Sequence, residues 1–158
     1  LLEDYARLER EKLLSAYGEQ RGATGRVAWA LGLSPTELQQ LVRALNATQE
    51  TEAVRERFRR EALASRNLTQ RLDMLGREKY LRDLGIERRF AEALKADLHA
   101  LLRDEAPHVT TLPELADRVA RQQGSPTELL LRAIERLKLA EPLKSRLARA
   151  HSRPSEEV

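Results

Sequence analysis

The side chains best equipped for chemistry fall close together: Ser34, Thr36, Gln39, Gln40 and Arg43. A Gln amide matches the donor and acceptor on an adenine edge, and an Arg guanidinium matches guanine or a phosphate. Thr24 and Arg26 stand just before them, and Arg55, Arg57, Arg59 and Arg60 follow as four arginines that could hold phosphates beside the same surface. Glu52, Glu56 and Glu61 interleave with that second group, so ordinary i,i+4 ion pairs on a solvated helix face are the competing reading. Other chemistry lacks its parts. His99, His108 and His151 are far apart and form neither H-x-x-x-H nor H-E-x-x-H spacing, so no metal site is expected. The sequence has no Cys, no G-x-x-x-x-G-K-[ST] and no G-x-S-x-G. Neither an enzyme nor a cofactor is implied.

The elements that must position the polar group are written in TGRVAWALGLSPTELQQLVR, Thr24 to Arg43. Val27, Ala28 and Leu31 share one helical face, Gly32 sits where the chain must turn, and Leu33 plugs the corner. Leu38, Leu41, Val42 and Leu45 then repeat at helical spacing. Gly32 can adopt a positive φ without penalty. Ser34, Pro35 and Glu37 spell an S-x-x-E capping box with Pro at the first helical position, which fixes where the second helix begins. Two short helices crossing at a tight turn are the expected result. With the apolar stripe inward, Ser34, Thr36, Gln39, Gln40 and Arg43 face out, as a helix entering a major groove requires. Thr24 is expected to cap the first of the two helices, and Trp29, the only Trp, to anchor the packing half-buried. A buried helical corner with no nucleic-acid role would need the same apolar spacing.

From Leu8 to Asn46, LEREKLLSAYGEQRGATGRVAWALGLSPTELQQLVRALN resembles the Fis-type helix-turn-helix of the factor for inversion stimulation and of bacterial enhancer-binding regulators. The matching features are a long leading helix, a link containing Gly22, a Thr before Arg26-Val27-Ala28, Leu31-Gly32-Leu33-Ser34, and Thr36 to Leu38 opening the recognition helix. The resemblance implies a sequence-preferring, dimeric, DNA-binding module. It covers this stretch only. That family's recognition helix is usually rich in Arg and Lys, where this one carries Pro35, Glu37, Gln39 and Gln40.

Composition sets the fold class. Charged residues are 34% and aromatic ones 4% of the 158 residues, with few β-branched runs, so an all-α fold is expected. The net charge of +3 is concentrated in residues 51–90, which hold 11 basic and 7 acidic side chains. There is no apolar run of membrane-spanning length and no signal segment, and the lack of Cys fits a reducing compartment, so a cytoplasmic location is expected. A start at Leu1 rather than Met suggests a longer parent protein.

Three helical blocks are predicted. Residues 1–66 form the helix-turn-helix domain with the basic helix that follows it. Residues 67–106 form a pair of helices joined at Gly85, the first running from Leu68 behind an Asn67 cap, and the pair is either a dimerisation surface or intramolecular core. Residues 107–151 form a small domain, with caps at Thr111 and Gly124 and Ser125-Pro126 opening its second helix, and 152–158 is a tail. SPTEL occurs at Ser34–Leu38 and at Ser125–Leu129, each after Arg-Val-Ala. A degenerate second helix-turn-helix or convergence on a good helix cap would explain the repeat. Two functions compete. One is a DNA-binding transcriptional regulator, acting on double-stranded DNA as a homodimer with a possible protein partner and no membrane. The other is an all-helical protein-interaction module that keeps the corner without binding DNA.

Overall fold

The computed structural model describes residues 2–152, which form ten α-helices and no strand. In order these are α1 (Leu2–Glu19), α2 (Thr24–Ala30), α3 (Pro35–Ala44), α4 (Thr48–Ala64), α5 (Leu68–Leu75), α6 (Glu78–Leu84), α7 (Glu87–Glu105), α8 (Leu112–Gln123), α9 (Thr127–Arg136) and α10 (Ala140–Ala150). A short 3-10 turn, Ala106–His108, lies between α7 and α8. The all-α class is therefore present as composition dictates. No helix is long and apolar enough to cross a membrane among the described residues.

The helices gather into two compact units, and the division differs from the predicted blocks. Among the described residues, the first unit comprises those up to Ala64 together with Glu78–Glu87, and the second Ser65–Arg77 together with those from Arg88 on. The predicted pair at 67–106 is thus shared between both. The expected single helix from Leu68 to Leu84 breaks at Gly76, where the Gly76 and Arg77 amides turn back onto the Asp73 and Met74 carbonyls. Glycine inside a helical run weakens it by about 1 kcal/mol. The break lets Leu68, Leu72 and Leu75 bury in the second unit while Leu81 and Leu84 bury in the first. The expected tail lies outside the described residues except for Ser152, whose hydroxyl donates to the Arg149 carbonyl at 3.4 Å.

Local signals set the helix ends. Asn67 accepts from the Gln70 amide at 3.0 Å, Thr111 from the Glu114 amide at 3.3 Å, and Gly124 closes α8 in the left-handed region. The last helix begins at Ala140, with Pro142 inside its first turn, where no backbone N–H is needed.

The Arg-Val-Ala repeat proves to be a repeat of backbone. Leu33 N–H bonds the Ala28 carbonyl at 2.8 Å, and Ser125 N–H bonds the Ala120 carbonyl at 2.8 Å. Gly32 has φ +69° and Gly124 φ +66°. Downstream, Asn46 and Lys138 both adopt positive φ, and the Ala47 and Leu139 amides reach back to Val42 and Ile134, each at 2.9 Å. All these pairs keep one spacing along the chain, which puts Ser125 opposite Leu33 and Pro126 opposite Ser34. The two SPTEL copies are therefore one residue out of register with the backbone repeat. The cap position of α9 is Pro126, which offers no side-chain hydrogen bond.

Candidate nucleic-acid interface

The polar surface is built on the α2–α3 corner of the first unit. Val27 and Ala28 from α2, and Leu38 and Val42 from α3, close over Leu13, Ala16 and Tyr17 of α1 in one buried cluster, with Leu33, Leu41 and Leu45 packed partly against it. Full burial of a Val or Leu contributes roughly 1.5–3 kcal/mol, enough for this stripe to fix which side of α3 faces out. Leu33 fills the corner as its position suggests. Leu31 does not, being 38% exposed. Gly32 turns the chain with its positive φ, yet a Cβ there would meet nothing within 4 Å, so backbone conformation and not space demands glycine.

The start of α3 is held by the complete capping box. Ser34 Oγ accepts from the Glu37 amide at 3.1 Å, and Glu37 Oε1 accepts from the Ser34 amide at 2.9 Å. The Ser34 backbone N–H, followed by its hydroxyl, lowers the Glu37 pKa from the usual carboxylate range and keeps a negative charge in the first turn. Thr36, Gln39, Gln40 and Arg43 are all exposed beyond it, as is Arg26 on α2. Neither Arg26 nor Arg43 forms an ion pair with a described residue. A row of unengaged amide and guanidinium groups on a rigid helix can form hydrogen bonds to base edges and phosphates.

Thr24 and Trp29 take other places than those expected. Ala23, not Thr24, is the residue before α2, without a side-chain cap. Thr24 is half-buried instead, and Tyr17 in the buried cluster has its pKa raised chiefly by burial. Trp29 is 86% exposed, because Val27 and Ala28 already occupy the inner face of so short a helix and leave the next position pointing away.

The four arginines of α4 divide in two. Arg55 and Arg59 turn inward, with side chains only 19% and 15% exposed. Arg55 Nε donates to the Gly22 carbonyl at 3.2 Å and its Nη2 to the Asp83 carbonyl, while Arg59 Nε donates to the Leu84 carbonyl at 2.6 Å. Glu52 binds both guanidiniums, at 3.2 and 2.7 Å, and Glu56 also binds Arg59 at 3.1 Å. Partial desolvation works against the charged guanidinium, and the Glu52 and Glu56 carboxylates outweigh it to leave the Arg59 pKa raised. These two are structural clamps, contrary to the phosphate contacts proposed from sequence. Arg57 remains exposed with its guanidinium 5.2 Å from the centre of the Phe58 ring, and Arg60 is exposed and paired only with Glu56 at 3.4 Å.

Residues that sequence reasoning missed come from α6. Asp83 Oδ2 accepts from the Gly25 amide at 2.9 Å, filling the cap that Thr24 does not supply, and the Tyr80 hydroxyl donates to the Arg21 carbonyl at 2.8 Å. Nothing in the local pattern around Asp83 signals a partner so far away along the chain. No group of three or more potential metal ligands occurs among the described residues. No family model matches the chain, and no curated protein or solved structure shows significant similarity to it.

Proposed function

We propose that the chain is a DNA-binding transcriptional regulator, or the DNA-binding module of one, whose α3 enters a major groove. The observation that carries this reading is the two-faced character of α3: Leu38 and Val42 fully engaged inward, Gln39, Gln40 and Arg43 unengaged outward. Gln39 and Gln40 read base edges, Arg43 reads guanine or a phosphate, and Arg26, Arg57 and Arg60 approach the backbone. Ser34 and Thr36 lie at the helix start, with exposed hydroxyls that can donate to phosphate oxygens. This is the mode expected of a Fis-type helix-turn-helix. The exposed stripe Leu2, Tyr5 and Leu8 on α1 suits self-association, so the active species is a homodimer. The reading sets the protein in the bacterial cytoplasm.

A second reading, a protein-interaction module, is favoured by one observation. The single Trp stands almost wholly exposed on α2, and aromatic residues of this kind are frequent anchors of protein interfaces.

Titration of a labelled random duplex at two salt concentrations separates the two. DNA binding predicts affinity that falls by roughly 0.9 logarithmic units per tenfold salt for each phosphate contact. On a selected site, Gln39→Ala with Gln40→Ala should fold normally and lose roughly 1–3 kcal/mol of base discrimination, and Arg43→Ala should weaken binding to all sequences or to one guanine. No binding at low salt would remove the DNA reading, and Trp29 emission shifting with a protein ligand instead would favour the second.

A further inference from the structure

The reading corner is completed by a helix far from it in sequence. The loop Arg21–Ala23 and the first turn of α2 are bonded to α6 and α4 at three points: Arg21 carbonyl to Tyr80, Gly22 carbonyl to Arg55, Gly25 amide to Asp83. Arg55 and Arg59 in turn hold the last carbonyls of α6, at Asp83 and Leu84. Gly22 lies where a Cβ would come within 3.1 Å of both the Arg55 backbone and the Leu84 side chain, so the loop cannot slide between the two helices. Asp83 is the sole side chain among the described residues that satisfies an N–H of the first turn of α2, whose own preceding residue supplies none.

We propose that Asp83 is a positioning residue for DNA recognition: through Gly25 it fixes the angle at which α2 presents α3, with Arg55 and Arg59 holding α6 in place to do so. The inference rests on the DNA-binding reading above. A helix terminus needs partners for its free N–H groups, and a carboxylate is the strongest available acceptor for them. Because α2 has so few residues, one anchored N–H at its start constrains the whole helix, and α3 follows through the tight Gly32 turn. Two of the arginines that sequence suggests for phosphate contact thereby act on DNA only through α6.

The test uses the full chain with Asp83→Ala and Asp83→Asn, the second keeping an oxygen for the Gly25 amide. Amide exchange at Gly25 and the α2 amides after it, and duplex affinity, are measured on each. Asp83→Ala should speed exchange in α2 while leaving α1 and α4 protected, and weaken duplex binding about tenfold, the size of one lost hydrogen bond to a charged group. Asp83→Asn should restore most of both. Unchanged exchange in Asp83→Ala would show that Asp83 does not hold α2, and faster exchange with undiminished affinity would show that α2 needs no such hold to bind; either overturns the proposal. Equal loss of affinity in both variants, with exchange protected in Asp83→Asn, would make the carboxylate charge itself responsible and overturn it too. A parent protein that binds no duplex removes the DNA reading and the positioning role together, while the exchange data still show whether α6 anchors α2.

Discussion

The corner at Gly32 and the corner at Gly124 are made of the same backbone and present different surfaces. Where α3 turns Thr36, Gln39, Gln40 and Arg43 outward, α9 has Glu128, Leu131, Arg132 and Glu135 at the matching places, with Leu131 half-buried. The inward residues match in kind: Leu38 with Leu130 and Val42 with Ile134, all buried. The exposed Arg132 of α9 lies one helical turn from both Glu128 and Glu135, so that face attracts phosphates less than α3 does, and α9 lies beside α5 in the second unit. A shared turn with different off-stripe residues teaches that the fold of this corner says nothing about DNA by itself; the claim rests on Gln39, Gln40, Arg43 and Arg26.

The comparison can be broken most forcefully at its core. Leu38→Ala and Leu130→Ala remove equivalent side chains that are wholly buried, and each should cost roughly 2–5 kcal/mol in denaturant unfolding of the full chain. Only Leu38→Ala should abolish duplex binding. If Leu130→Ala abolishes it as well, the second corner contributes to recognition.

At the turns the expected effects are smaller and nearly equal. Gly32→Val and Gly124→Val each force a β-branched residue into positive φ in open space, so each should cost about 1–3 kcal/mol of backbone strain and no packing penalty. Thermal melts that differ strongly between the two would show that the corners are not equivalent.

The smallest effects sharpen the difference at the caps. Ser34→Ala should destabilise by about 1 kcal/mol through loss of the bond to the Glu37 amide, whereas Pro126→Ala removes no cap bond. Glu37 adds a pH dependence found at the first corner. Its folded pKa is lowered, so its contribution is complete above the ordinary carboxylate range and is lost as pH falls through the lowered value. Parent and Glu37→Gln should therefore differ in melting temperature at neutral pH and converge in acid.

What the sequence determined is everything decided within a turn or two of helix. The capping box at Ser34, the caps at Asn67 and Thr111 and the stops at Gly32, Gly85 and Gly124 join groups three to five residues apart, and the apolar stripes that set the inward face of α3 repeat at the same range. The SPTEL repeat and the one residue lost before Ser125 could be read, but not that the backbone would follow the Arg-Val-Ala register and leave the SPTEL identity one residue off it. Tertiary structure alone decided the rest. Arg55 and Arg59 look in sequence like their neighbours Arg57 and Arg60, and they become clamps only because α6 brings the Asp83 and Leu84 carbonyls to them. Trp29 is exposed because two smaller residues fill the inner face of α2, and the run from Leu68 to Leu84 divides because its two halves find separate cores. Each of these outcomes depends on which distant groups compete for one buried surface or one unsatisfied carbonyl, and chain closure over such distances leaves no local periodic trace.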